Sequence, residues 1–373
     1  MRVLLIDQFG EMGGAQYCLL EAAEGFAARG WQLSAAIPQG PLAGRLSQYA
    51  DVSPIPCGPF TPARKNILDI VRIAAQLPGQ VSAIARICAR EAIDVLYVNG
   101  PRVLLAASLA RGSRPLVFHA HSVVTQPLAA WVGRWTLRKP GVTVLASSRY
   151  SAGWVKHPRV RVIYNGIRGF GRSPQPKSAF TRIGVLGRVA PEKGQLTFVR
   201  AARIAAGSNP KLHFFVCGSA VLASQTYFDA VKAEAGSDVT FEPWTDDVDA
   251  FFTSIDLLIV PSEQVDASPR VILEAYAAGV PVVAFAAGGI LELIEDGVTG
   301  ALVEERTPRA LAQAILEASE HPERMNIIAA RAYARFQTHY TLGRFQSDVS
   351  DAVEEAAHRQ RAPFHKVEAS ARP

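Results

Sequence analysis

Acidic residues are missing from a long stretch of this 373-residue chain, with none between Asp94 and Glu192. Residues 1–170 hold 19 Lys/Arg against 8 Asp/Glu, or +11, and the remainder holds 20 against 25, or −5. A basic first half beside an acidic second half suggests two domains and an anionic partner for the first. Cysteine is scarce as well. Cys18, Cys57, Cys88 and Cys217 lie far apart without a C-x-x-C pair, which excludes a zinc ribbon or a disulfide scaffold and suggests reduced thiols. The longest uncharged apolar stretch, AYAAGVPVVAFAAGGIL, is broken by Pro281 and by glycines, so it reads as helix end, strand and loop and not as a membrane span. MRVLLID reads as a short strand rather than a signal peptide. With 49% hydrophobic and 19% charged residues, the chain is expected to be globular and cytoplasmic, at most peripheral on the inner face of a membrane.

What is present is a rhythm. Short runs of Val, Ile and Leu fall at 3–6, 33–37, 94–98, 116–120, 142–146 and 160–164, then at 183–187, 212–216, 239–241, 256–260 and 282–286. Each is followed by a helical pattern. Continuous apolar strands alternating with helices imply parallel sheets covered on both faces, and two such series make two doubly wound α/β domains. Residues 1–165 and 181–340 are read as these domains, with a Gly/Pro/Ser-rich linker at 166–180. A helix over 341–357 is expected to return to the first domain, and 358–373 to form a mobile tail. Ligands of such sheets bind at the carboxyl ends of the strands.

Four segments at strand ends carry chemistry. Gly13, Gly14 and Gln16 stand at the first turn, where glycines allow close backbone approach and a helix N-terminus attracts anions; a tight structural turn explains them equally well. The spacing is not G-x-G-x-x-G, so a nicotinamide site is not indicated. FHAHS puts His119 and His121 on one strand face without a nearby third ligand, so a metal site is disfavoured, and core or capping roles compete with a substrate contact. In GRVAPEKG, Arg188 and Lys193 can neutralise a diphosphate, one as a fork and one as a point charge. Last comes VDASPRVILEAYAAG. Ser268 is expected to cap a helix that begins at Pro269, with Asp266 in the loop before it and Glu274 on its first turns. The plain alternative is a capped helix with one Arg270–Glu274 surface pair. Gly288, Gly289 and Ile290 then open a second glycine-fronted helix. TDDVD (245–249) is read as a helix cap rather than a metal cluster.

Taken in order, Gly-Gly-Ala-Gln at 13–16, His121, GRVAPEKG at 187–194, the acid pair, and GGILELIEDGVTG resemble the retaining GT-B glycosyltransferases of family 4, the group 1 glycosyltransferases. The resemblance implies a GT-B fold, two Rossmann-like domains facing a cleft. It also implies transfer of a hexose-type sugar from a nucleoside diphosphate sugar to a hydroxyl acceptor, with no metal and no cofactor. The family's Glu-x7-Glu motif falls on Asp266 and Glu274, with Asp in the first place and Glu263 as an off-spacing alternative. By that likeness Glu274 holds the ribose, Asp266 and His121 touch the donor sugar, and Arg188, Lys193 and the backbone of Gly288, Gly289 and Ile290 hold the diphosphate. VCGSA keeps only Gly218 of a usual Gly-x-Gly loop, and EPWTDDV has Pro-Trp where Gly is common; both bear on the base. A nucleotide-sugar 2-epimerase and a silent nucleotide-sugar binder are the competing readings.

Nucleotide sugar, a glycan or lipid-linked acceptor, and an anionic membrane surface are the expected partners; nucleic acid is not. In PLAAWVGRWTLRKPG (127–141), Leu128, Trp131, Val132 and Trp135 share a helical face flanked by Arg134 and Arg138. Packing of that stripe on the domain's own sheet is slightly preferred over an interfacial role.

Overall fold

A computed structural model describes residues 1–58, 67–157, 159–220, 224–264 and 266–361. The strands of the first unit are β1 (Arg2–Ile6), β2 (Gln32–Ile37), β3 (Ala50–Pro54), β4 (Val95–Val98), β5 (Leu116–Ala120), β6 (Val142–Ala146) and β7 (Val160–Val162). Its helices are α1 (Gly14–Ala28), α2 (Pro41–Leu46), α3 (Ile67–Arg90), α4 (Leu104–Ala110), α5 (Pro127–Leu137) and α6 (Arg149–Ala152). The second unit holds β8 (Arg182–Leu186), β9 (His213–Cys217), β10 (Val239–Glu242), β11 (Leu257–Val260), β12 (Val282–Phe285) and β13 (Ala301–Val303). With them run α7 (Gln195–Ser208), α8 (Gln225–Ala235), α9 (Val248–Ser254), α10 (Arg270–Ala278), α11 (Ile290–Leu293), α12 (Pro308–Glu320) and α13 (Pro322–His339). The last helix is α14 (Leu342–Arg361).

All strands pair in parallel, in the orders β3-β2-β1-β4-β5-β6-β7 and β10-β9-β8-β11-β12-β13. The strand order reverses between β1 and β4 and again between β8 and β11, and these switch points are where an open parallel sheet makes its crevice. Central strands such as Val3–Ile6 and Val95–Val98 are fully buried because helices cover both faces, which is why they are apolar at every position. The two strands that the sequence reading did not anticipate, β3 and β13, are both sheet edges with half-exposed patterns. One flank of each meets solvent, so neither is a continuous apolar run.

The linker and the return crossing lie side by side. The Ile167 N–H donates to the Tyr340 carbonyl at 2.8 Å, and the Leu342 N–H to the Ile167 carbonyl at 3.0 Å. From there α14 packs on α1 and sinks Phe345, Val349 and Val353 into the core of the first unit. The end of the expected tail, from residue 362, lies outside the described residues.

Candidate active site

Beyond β1 the chain turns into α1, with Gly13 at the N-cap. Gln16 is buried, and its amide donates to both oxygens of the Asp7 carboxylate, at 3.0 and 3.1 Å. Asp7 also accepts from the Phe9 N–H and from Asn99 Nδ2. Burial pushes Asp7 up to about 6, against the pull of these donors. The Gln16 side chain therefore braces the end of β1, its amide nitrogen turned to Asp7 and away from the loop. The Gly13-Gly14 turn remains at the cleft, with a Cβ on Gly14 falling 3.6 Å from Cδ of Arg270.

Asn99, just past β4, accepts from His121 Nε2 at 2.7 Å. His121 follows β5 directly, and its ring centroid lies 4.0 Å from that of His119. His119 is fully buried, with Nδ1 2.5 Å from the Tyr97 hydroxyl. Burial, reinforced by the positive charge of Arg270, holds His121 down at about 3, so the ring is neutral at neutral pH.

On the facing unit, the chain leaving β8 passes Arg188 and a 3-10 turn at Pro191–Lys193. Gln195 clips this loop, donating to the Arg188 carbonyl at 2.9 Å and accepting from the Ala190 N–H. Gly194 has φ +73°, and a Cβ there would lie 1.8 Å from the Pro261 carbonyl oxygen. Only glycine permits this approach, which sets Lys193 beside the loop after β11. Lys193 pairs there with Asp266, and Arg188 pairs with Glu192. Glu263 is bound by the Thr197 hydroxyl, so the off-spacing alternative is turned towards α7.

Gly289 is pressed on the same loop, its missing Cβ 1.8 Å from the Ala267 carbonyl oxygen. Its N–H donates to the Asp266 carbonyl at 2.8 Å, and the Ile290 N–H donates to the Ala287 carbonyl at 3.0 Å. Neither N–H stands open as the sequence reading expects: Gly289 ties α11, a single turn, to the acid-bearing loop, and Ile290 closes the turn that leads into the helix. Gly288 supplies the left-handed bend before it, at φ +53°.

Side chains cross between the two units at several points. Ser268 is not the helix cap; Pro269 holds that place without a side-chain bond, and Ser268 Oγ accepts from Asn165 Nδ2 at 3.2 Å. Arg270 does face Glu274, at 3.8 Å, but its main partner is Glu21 of α1, which it grips as a fork with two bonds of 2.7 Å. Desolvation opposes its charge, yet Glu21, Cys18 and Glu274 outweigh that and raise its pKa. Glu274 is raised by burial, with Arg270 pulling the other way. Glu292 accepts from the N–H groups of Arg149 and Tyr150, at 2.8 and 2.6 Å, and from the Tyr164 hydroxyl. Within TDDVD, Asp247 caps α9 through the Ala250 N–H as expected, while Asp246 reaches Arg45 and the Tyr17 hydroxyl.

These contacts bring the carboxyl edges of the two sheets face to face, with Arg270 near both His121 and Glu274. The pattern search missed Arg270, Glu21 and Asn99 as site residues. Only the i, i+4 spacing of Arg270 and Glu274 hinted at the first; nothing local pointed to its partner on α1.

Two family models match the chain in succession: Glycosyltransferase Family 4 over residues 12–168, and Glycosyl transferases group 1 over residues 172–335. The D-inositol 3-phosphate glycosyltransferase of Thermobispora bispora is 30% identical over 52% of this chain and 51% of its own length. Its counterpart in Salinispora arenicola is 33% identical over 66% and 60%. The chain thus spans about half the length of these relatives. Anabaena HepE, crystallised with UDP, superposes with a TM-score of 0.81 at 23% identity, over 95% of this chain and 100% of that one. Sucrose-phosphate synthase from Thermosynechococcus elongatus gives 0.79 at 19%, over 96% and 99%. At such identities the likeness concerns the fold, which is GT-B. With the two family models dividing inside the linker and together matching nearly all of residues 12–335, the chain belongs to the group 1 glycosyltransferases, of the family 4 type.

Proposed function

We propose that the protein transfers a hexose-type sugar, with retention and without a metal, from a nucleoside diphosphate sugar to the hydroxyl of a glycan, a lipid-linked sugar or a glycolipid. The observation that supports this reading is that Arg270 stands between Glu274 of one sheet edge and neutral His121 of the other, with the Lys193–Asp266 pair and Arg188 on strand-end loops of the same unit as Glu274. Glu274 would accept from the ribose hydroxyls. Asp266 and His121 would hold the sugar. Breaking the anomeric C–O bond places charge on the departing diphosphate, which Arg188 and Lys193 are set to stabilise. The acceptor oxygen forms the new bond as the diphosphate leaves, and the acceptor proton departs with a phosphate oxygen.

The UDP and UDP-glucose held by HepE support a uridine donor with a hexose. The relatives' name supports a small, phosphorylated polyol as one acceptor class, and the basic first unit suits any anionic acceptor. A lipid-borne acceptor would bring the enzyme peripherally to an anionic membrane surface.

The test is a thermal-shift panel of nucleotide sugars, followed by turnover assays on the stabilising donor with hydroxyl acceptors, in excess chelator. A stabilising donor that is consumed with transfer to an acceptor supports the reading. Epimer formation without transfer, binding with no turnover, or activity that requires added magnesium or manganese would overturn it.

A further inference from the structure

Helix α5 is built with its large side chains outward. The face towards the sheet is Ala130, Gly133, Thr136 and Leu137, all buried, and Gly133 is small because a Cβ there would lie 2.9 Å from the Trp154 ring. Leu128, Trp131 and Trp135 take the opposite face and are 59%, 60% and 51% exposed. The sequence expectation that the stripe packs on its own sheet is thus reversed for the two tryptophans, and Val132 is only half-buried. Scattered apolar surface is ordinary, but two tryptophans and a leucine on successive turns of one helix make a contiguous patch.

The surroundings say what covers this patch. Lys139 sits 4.2 Å over the Trp135 ring, Arg138 closes the helix and is exposed, and Arg134 reaches the Trp154 carbonyl, two residues before exposed Lys156. No carboxylate stands anywhere from residue 95 to residue 191 to balance these cations. Tryptophan belongs at the boundary of water and acyl chains, and lysine and arginine beside it favour an anionic leaflet. The helix also starts six residues after His121, at the same carboxyl edge of the sheet. A surface docked there holds the acceptor side of the cleft against the membrane. Among the described residues no helix is long and apolar enough to cross a membrane.

We infer that the Leu128–Trp131–Trp135 face of α5, with Arg138 and Lys139, is a docking surface for an anionic lipid bilayer. The inference rests on the peripheral association proposed above and not on the transfer chemistry.

The experiment is co-sedimentation of the full chain with vesicles of phosphatidylglycerol and phosphatidylcholine, and with phosphatidylcholine alone, at low and high salt. Light scattering of the protein without vesicles runs alongside. Three proteins are compared: wild type, Trp131→Ala/Trp135→Ala, and Arg138→Glu/Lys139→Glu. The wild type is expected to bind the anionic vesicles, weakly at high salt, and each double variant to lose on the order of tenfold in partition. UDP-induced thermal stabilisation should be equal in all three, which separates docking from donor binding. Wild-type binding retained in full by the tryptophan variant would assign docking to another face. Failure of the wild type to bind either vesicle would overturn peripheral association itself. A smaller particle on removing the tryptophans would assign the patch to a second copy of the chain.

Discussion

Asn99 and His121 are joined side chain to side chain, Oδ1 to Nε2, at 2.7 Å. The amide cannot turn over, because its Nδ2 already donates to Asp7 Oδ2 at 2.6 Å and to the Ala15 carbonyl at 3.0 Å. His121 must then carry its proton on Nε2, which leaves Nδ1 as an acceptor, the role the proposed sugar contact needs. Asp7, Asn99 and His121 form a relay of orientation, and Gln16 braces its far end.

From this arrangement, His121→Ala is expected to lower kcat with little change in the donor dissociation constant, since its proposed partner is the reacting sugar. Asn99→Ala should act in the same direction but less strongly, because the ring remains and loses only its fixed tautomer. Steady-state kinetics with UDP titrations checks both. Normal kcat in either folded variant removes that residue from the relay.

Glu274→Gln is expected to cut turnover by at least about a hundredfold, through charge-assisted bonds worth roughly 1.5–3 kcal/mol each. The fold should persist, since Arg270 keeps its fork to Glu21. A folded variant with near-normal turnover would show that Glu274 does not hold the ribose.

Arg188→Ala and Lys193→Ala should each weaken binding of nucleoside diphosphate more than binding of nucleoside. Because Lys193 is paired with Asp266, an Asp266→Asn change should loosen donor-sugar selectivity while Lys193 still reaches the diphosphate. Isothermal titration with UDP, uridine and UDP-sugars separates these effects. Equal losses for uridine and UDP would speak against a phosphate role.

The buried fork between Arg270 and Glu21 predicts a stability effect. Arg270→Met alone strands two carboxylates, Glu21 and Glu274, and should cost about 3–5 kcal/mol. Adding Glu21→Leu should recover part of that loss, with a coupling of at least about 0.5 kcal/mol in the double-mutant cycle. Denaturant midpoints read the cycle. Strict additivity would mean that the fork contributes nothing specific to the docking of the two units.

Stability should also respond to acid at His121. Its folded value of about 3 lies below the ordinary 6.5, so its contribution is fully present above pH 6.5 and is lost as pH falls towards 3. Asp7 runs the other way, raised from 3.8 to about 6, with its contribution present below 3.8 and lost as pH rises through 6. His121→Gln removes the first term only. The variant's melting temperature should therefore gain on the wild type as pH falls from 6.5 towards 3, and a constant difference across that range would contradict the assignment.

Periodicity determined much of this protein by itself. Strands buried on both faces must be apolar at every position, so the central strands and the two-sheet plan were legible as short Val/Ile/Leu runs between helical patterns. So were the strand-end loops, because glycines, cations and acids cluster there in order, and Arg188, Lys193, Asp266 and Glu274 stand out as candidates by that pattern. What escaped has one cause, a partner distant in sequence. Edge strands β3 and β13 are defined by the neighbour they pair with and carry no full apolar run. Ser268 has the composition of a helix cap, yet Asn165 from the other unit takes its hydroxyl. Arg270 looks like half of a surface pair until α1 brings Glu21 within 2.7 Å of it. The tryptophans of α5 have the spacing of a core face. Only the tertiary packing of Gly133 against Trp154 decides that the small side of the helix turns inward and the aromatic side meets solvent.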